Sequence, residues 1–252
     1  KLLNQIIPLF PQNYDNFIDL FAGGSSVGIN SNPKYKILIN DNIKPLINLY
    51  RYLSMTEFNV VLSQIDMIIA RYDLSTSNKK SYAFYKVDSS KGLANYNKES
   101  YLRMRADYNN GYFRGSYLEN IVLYLLTVFG FNNQIRFNKN GDFNLPVGKR
   151  DFNDRMKNKL KDFMKVLHEK DVIFSSDDFR EIVPLSENTF IYADPPYSIT
   201  TATYTENKAW GFKDDLDLFK YLDQCDKNNI KFALSNVTQH KGIINKQLLE
   251  WA

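Results

Sequence analysis

The chain reads as an α/β protein: a Rossmann-like parallel sheet interrupted by a mainly helical insertion. Three observations predict this. Short, unbroken apolar runs of strand length end in acids, as parallel strands buried on both faces do. A glycine-rich turn links the first such run to a helix. Between residues 56 and 156 the alternation of strand and helix stops, and helical periodicity takes over. At 252 residues and 44% hydrophobic content the chain can bury a full α/β core and carry a second, smaller module.

Residues 2–9 predict an apolar-rich helix closed by Pro8 and Pro11. Residues 16–20 predict a strand that carries Asp19 at its end and runs into Phe21, Ala22, Gly23, Gly24 and Ser25, with a helix beginning near Ser25. A strand, a glycine turn and a helix start can bring backbone close to a ligand. The turn is not a Walker loop, because Gly28 is followed by Ile29 and Asn30. Nor is it the dinucleotide fingerprint, since Ser25 stands where the middle glycine belongs. The next strand, residues 36–40, ends at Asp41, about twenty residues beyond the turn, a position from which an acid accepts hydrogen bonds from ribose hydroxyls. Asp41 is equally placed to cap the helix expected over 43–53. A nucleoside-containing cofactor without a phosphate cradle points to S-adenosylmethionine rather than to NAD or ATP.

Helices are then expected over 56–72, 98–108 and 116–129, with no strand between them. Residues 131–150 predict a β-hairpin turning at Asn140-Gly141. Its arms carry Asn132, Arg136 and Asn138 and end in Lys149-Arg150. Arginine reads guanine bidentately, amides read adenine and lysines meet phosphate, while Phe131 is a candidate wedge between bases. The competing reading is a plain polar hairpin whose phenylalanines anchor it to the helices. Charge fits a polyanion partner and a plain solvated basic surface equally: residues 79–157 hold 14 Lys+Arg against 7 Asp+Glu, a net of +7, so with +4 over the whole chain the remainder carries −3.

The α/β pattern resumes with an amphipathic helix over 154–170, in which His168 is a C-terminal cation, and a strand over 172–174. Asp178 and Phe179 beyond that strand are placed to hold a cofactor adenine by its amino group and its face, or simply to cap the loop. The run Thr189-Phe190-Ile191-Tyr192-Ala193 is a buried strand stopped by Asp194-Pro195-Pro196-Tyr197. The tetrapeptide offers two acceptors in fixed geometry, the Asp194 carboxylate and the Pro195 carbonyl, beside the Tyr197 ring. Such acceptors suit an amino group on a planar base, whose lone pair, otherwise delocalised, can then turn toward an electrophile. Residues 198–210 read as a polar lid, followed by a helix over 213–228, a strand over 231–235 and a helix from 242. With one cysteine, Cys225, and only His168 and His240 besides, neither a disulfide framework nor a His/Cys metal site is expected. No apolar run reaches membrane-spanning length.

Together these residues resemble the Dam-type DNA adenine methyltransferases. The resemblance rests on the stretch from Asp19 to Ser25, on Asp41, on the hairpin and on Asp194-Pro195-Pro196-Tyr197, in that order along nearly the whole chain. It implies a cytoplasmic, prokaryotic or phage-type enzyme that transfers a methyl group from S-adenosylmethionine to adenine N6 in duplex DNA, acting as a monomer without metal. It further implies that Asp19 to Ser25 holds the methionine part of the cofactor, Asp41 its ribose, and that Asp194 to Tyr197 is catalytic. Residues 1–55 and 157–252 would then be the cofactor-binding catalytic domain and residues 56–156 a target-recognition subdomain. Members of that group usually begin with a Lys-Trp-x-Gly-x-Lys segment and extend further at the C-terminus, so a trimmed chain is expected. An RNA or protein-glutamine amino-group methyltransferase, or a catalytically silent DNA-binding relative, shares parts of this pattern.

Overall fold

A computed structural model describes residues 2–88, 90–200 and 210–252. They form two compact units. One comprises residues up to 47 and from 166 onward, the other residues 48–165.

The first unit is built on a five-stranded, all-parallel sheet. Its strands are β1 (Asn16–Asp19), β2 (Lys36–Asn40), β3 (Asp171–Ser175), β4 (Thr189–Ala193) and β5 (Lys231–Leu234), in the order β3-β2-β1-β4-β5. The winding reverses between β1 and β4, and open α/β sheets bind ligands at such a switch point. β1 and β4 are buried along their whole length: β4 is apolar without alternation, and β1 takes Asn16 and Asp19 inside with its two apolar residues. The register pairs Asp19 with Ile39 on one side and with Tyr192 on the other, so Asp19, Asp41 and Asp194 all end their strands at the same edge.

Beneath that edge, Phe10, Tyr14, Phe17, Phe190 and Tyr192 form an aromatic cluster, the closest rings being Phe10 and Phe190 at 4.8 Å. It anchors the N-terminal segment, a turn of helix α1 (Leu3–Ile6) continued as a 3₁₀ turn over Ile7–Leu9. A second cluster joins Ile18, Leu20, Ile191 and Ala193 to Leu218, Leu222 and Cys225. Full burial of such side chains contributes about 1.5–3 kcal/mol each. The unit's short helix α2 (Ser26–Asn30) follows the glycine turn; α3 (Lys44–Met55) follows β2.

The second unit takes in most of α3 and the helices α4 (Phe58–Tyr72), α5 (Ala94–Asn109), α6 (Leu118–Val128) and the greater part of α7 (Asp154–Glu169). α6 carries Ile121, Val122, Leu123, Leu125, Leu126 and Val128 inside. Buried Asn97 on α5 accepts the Ser75 N–H at 2.8 Å and donates to its hydroxyl at 2.9 Å, and Asp151 takes N–H and O–H from Ser77 at 2.6 and 2.7 Å. These bonds order the loop after α4.

Three expectations need correction. The hairpin over 131–150 is not a continuous ladder: only isolated bridges link Gly130 to Val147 and Phe137 to Phe143. A 3₁₀ turn at Phe131–Asn133, with Asn132 and Asn133 both left-handed, breaks the first arm. The tip is a three-residue loop rather than a two-residue Asn-Gly turn, closed by the Asn138 N–H on the Asp142 carbonyl at 2.8 Å with Gly141 at φ 84°. Finally, residues 242–244, expected to open the last helix, belong instead to a small antiparallel pair, β6 (Gln239–His240) and β7 (Ile243–Ile244). Their two-residue loop, Lys241-Gly242, takes positive φ at both positions, the I′ pattern; strands of two residues leave no periodicity to read. α8 (Phe212–Lys227) and α9 (Lys246–Trp251) complete the first unit. Of the expected lid, residues 201–209 lie outside the described residues.

Candidate active site

Hydrogen bonds between strand tips assemble the site. Beyond β1 the Leu20 N–H reaches the Tyr192 carbonyl at 2.9 Å, and the Ala22 N–H reaches the Asn40 carbonyl at 2.8 Å. Buried Asn40 donates to the Leu20 carbonyl at 3.1 Å and accepts the Asp177 N–H at 3.2 Å, joining the ends of β1, β2 and the segment after β3. The chain then turns through Gly23, at φ 47°, and Ser25, held left-handed at φ 51°. Ser25 Oγ is buried and has no hydrogen-bond partner among the described residues.

Asp19 is 2% exposed and accepts the Gly28 N–H at 2.8 Å. Gly28 must remain glycine: a Cβ there would lie 2.8 Å from Asp19 Oδ2 and 3.1 Å from Ser25 Oγ. This is what lets α2 sit against the carboxylate. Asp41 performs the capping job, taking the Ile43 N–H at 2.9 Å on one oxygen, and clamps the glycine turn through the Gly23 N–H at 2.8 Å on the other. Each oxygen keeps a second lone pair for a ligand hydroxyl.

On the other side of the switch point, Asp194 leaves β4 with its side chain open to solvent, while Pro195 beside it is buried. The Tyr197 hydroxyl donates to Asp194 Oδ1 at 2.7 Å, fixing the carboxylate and leaving Oδ2 available. Ala193 accepts the Ser235 N–H at 2.8 Å, and Tyr192 shares a 2.7 Å hydrogen bond with the Ser235 hydroxyl, so the tip of β5 belongs to the same edge.

Electrostatically the site is unusual. Burial pushes the Asp19 carboxyl up to about 7, against the Gly28 N–H, with the charges of Asp194 and Asp41 adding to the rise. Burial also raises Asp41, opposed by the Ile43 and Gly23 N–H groups, and Asp194, whose open face does not offset the protein packed around its base and whose Tyr197 bond acts the other way. Three acids that resist ionising together form a place for positive charge.

Asp178 and Phe179 are positioned differently from this trio. Asp178 caps a 3₁₀ turn and binds Arg180 through its N–H and guanidinium at 3.0 Å, and Arg180 reaches Asp214 and Asp217 as well. The buried Phe179 ring packs on Phe21 and Trp210 at 5.3 and 5.6 Å, with the Arg180 guanidinium 4.4 Å from its centre. Trp210 in turn donates to buried Asp215 at 2.6 Å.

The residues expected to read nucleic acid lie in the second unit. Phe131 is 50% exposed, and Lys149 and Arg150 are exposed too, near it through the Gly130–Val147 bridge. Asn132 lies in the same 3₁₀ turn. Arg136 and Asn138 sit farther along the hairpin and brace it: Arg136 binds the side chain and carbonyl of Asn144 at 2.7 and 3.0 Å, and Asn138 Oδ1 takes two loop N–H groups at 2.9 Å. Phe143 is fully buried and held by Asn109.

Sequence reasoning missed Gly28, Asn40 and Trp210, whose contacts no local pattern announces. Among the described residues no group of three or more His, Cys, Asp or Glu could hold a metal ion, and no helix is long and apolar enough to cross a membrane.

Comparison with known proteins places the chain in a family. The sequence is 37% identical over 261 residues to the type II methyltransferase M.FokI of Planomicrobium okeanokoites and 35% identical over 260 residues to the modification methylase StsI of Streptococcus sanguinis, in each case over 100% of this chain and 36% of the relative. It thus spans little more than a third of the length of these relatives. The DNA adenine methylase of Haemophilus influenzae is more distant, 26% identical over 79% of this chain and 60% of its own length. Residues 1–250 match the sequence model for the D12 class N6 adenine-specific DNA methyltransferases, and the chain belongs to that family.

Proposed function

We propose that this chain is the catalytic part of a site-specific DNA methyltransferase that moves a methyl group from S-adenosylmethionine to the exocyclic N6 of adenine in duplex DNA. The observation that carries the reading is the juxtaposition at the switch point: the glycine turn after β1 and the Asp194-Pro195-Pro196-Tyr197 turn after β4 leave neighbouring, hydrogen-bonded strands at one edge.

The residues fit the cofactor. Ser25 Oγ is a buried polar atom in the turn with no partner among the described residues, and Asp19 with its two acidic neighbours suits the cations of an amino-acid sulfonium. Asp19 and the Phe21–Ser25 turn would hold the methionine part and Asp41 the ribose. Asp178 and Phe179 would serve the adenine, Asp178 through lone pairs that Arg180 leaves open. When bound, the cofactor supplies an electrophilic methyl on positively charged sulfur.

On the substrate side, Asp194 and the Pro195 carbonyl accept the two N6 hydrogens, which frees the nitrogen lone pair from the ring. Tyr197 holds the carboxylate in place and offers a face for the base. A base inside a duplex cannot reach this edge, so the adenine is flipped out. Positioning and fixed dipoles then provide most of the acceleration, with no covalent enzyme intermediate. Residues 56–156 form the target-recognition part: Phe131, Asn132, Lys149 and Arg150 approach the duplex, and Arg136 and Asn138 shape the hairpin and contact it.

The test is methyl transfer by the full-length protein from labelled S-adenosylmethionine to duplex DNA, RNA and protein, with the modified nucleoside identified by mass. N6-methyladenine in DNA alone is expected. Label confined to RNA or protein would refute the reading.

A further inference from the structure

Asn236 is the first side chain after the Ser235 backbone that hydrogen-bonds Ala193, level with the start of the Asp194-Pro195 turn. Its amide is oriented by one bond, in which Oδ1 accepts the Val237 N–H at 2.7 Å. Exchanging the amide atoms would set donor against donor, so the nitrogen is the atom turned away from the Val237 N–H. That nitrogen is buried and has no hydrogen-bond partner among the described residues. Just past the catalytic turn, Ser198 Oγ is in the same condition. A buried donor without an acceptor costs free energy, and in native proteins such groups are few and call for an explanation, a functional role among them.

The edge therefore presents an acceptor, Asp194, just past β4 and a donor, Asn236 Nδ2, just past the neighbouring β5. Adenine presents the complement: the N6 amino donor is flanked by ring-nitrogen acceptors, N7 on one side and N1 on the other. Guanine and thymine put a carbonyl oxygen where adenine has its amino group, so the same pair of side chains rejects them. Cytosine shares the donor–acceptor pattern and is distinguished by ring size.

We propose that Asn236 is a base-reading residue that donates an amide N–H to the ring nitrogen beside N6 of the flipped adenine, fixing the base in the orientation Asp194 needs. The inference rests on the function proposed above and adds the determinant that makes it adenine-specific. It assigns a substrate contact to a strand that the glycine turn and the Asp194 turn leave out.

The experiment uses the full-length protein and duplex oligonucleotides with adenine, 1-deazaadenine or 7-deazaadenine at the target position. The wild type is expected to lose about tenfold or more in kcat/KM, about 1.4 kcal/mol, on the analogue that lacks the contacted nitrogen, and little on the other. Asn236→Ala should lose a similar factor on adenine and nothing further on that analogue. Asn236→Asp keeps the oxygen that holds Val237, so it preserves the local fold should alanine not; it sets an acceptor against the ring nitrogen, so it should work better on the analogue that lacks that nitrogen than on adenine. Cofactor affinity is expected to stay within about twofold in both variants. Equal losses in wild type and variants, a wild type indifferent to both analogues, or full activity in Asn236→Ala would overturn the proposal. These outcomes differ from a wild type that never methylates adenine in DNA, which would remove the function and this contact together.

Discussion

Asp19 makes the sharpest quantitative expectation. Moving a carboxyl from its ordinary 3.8 to about 7 corresponds to about 4 kcal/mol of differential interaction between its two protonation states. Burial is the main cause, the Gly28 N–H opposes it, and Asp194 and Asp41 add to it. Because the folded-state value lies above the unfolded one, the native state holds the proton more tightly. The stabilisation is complete below pH 3.8 and is lost as pH rises through about 7. A cationic ligand reverses the preference, since Asp19 must give up its proton to hold the cation. S-adenosylmethionine should therefore bind about tenfold more weakly at pH 6 than at pH 8, with roughly one proton released at the lower pH. Calorimetry in buffers of different ionisation heat measures both quantities. In Asp19→Asn the cofactor should bind weakly and without this pH dependence, and the apo protein should gain stability above pH 7. Wild-type affinity that stays flat from pH 6 to 8, with no proton release, would refute the assignment of Asp19 to the cation.

Asp194→Ala is expected to abolish methyl transfer while leaving duplex binding within a few-fold by fluorescence anisotropy; near-normal turnover would remove Asp194 from the chemistry. Gly28→Ala forces a methyl to within 2.8 Å of Asp19 Oδ2 and should cost about 1–3 kcal/mol, read as a melting temperature lower by about 2–4 °C per kcal/mol. An unchanged melting curve would mean that the helix relaxes freely. Arg136→Ala removes two bonds to Asn144 and should relax site preference at one base pair by about 1–3 kcal/mol, measured by methylation sequencing of a randomised target library. An unchanged preference would confine Arg136 to bracing the hairpin.

Much of the sheet was legible because its signals are local. The buried strand Thr189–Ala193 announces itself by apolar residues without alternation, and Asp194-Pro195-Pro196-Tyr197 by prolines that cannot continue a ladder. The glycine turn was legible for the same reason, as was the run of helices through the middle of the chain. The pair of two-residue strands near the C-terminus and the broken hairpin were not, since neither is long enough to set a period. Asp178 shows another limit. Its position after β3 was readable, but its engagement with Arg180, which also holds Asp214 and Asp217 from a later helix, was not.

By itself, the order of residues determined which groups exist for the chemistry and at which strand ends they stand: Asp19, Asp41 and Asp194, each closing a short apolar run. Only the tertiary structure decided that β4 inserts beside β1 although about 170 residues separate them. That pairing sets Asp194 at the edge that already holds Asp19 and Asp41, where burial raises the proton affinity of each. It also leaves the Asn236 nitrogen without a hydrogen-bond acceptor among the described residues. Strand ends are written in local sequence, whereas proximity, burial and unmet hydrogen bonds arise only when distant segments exclude water from one another.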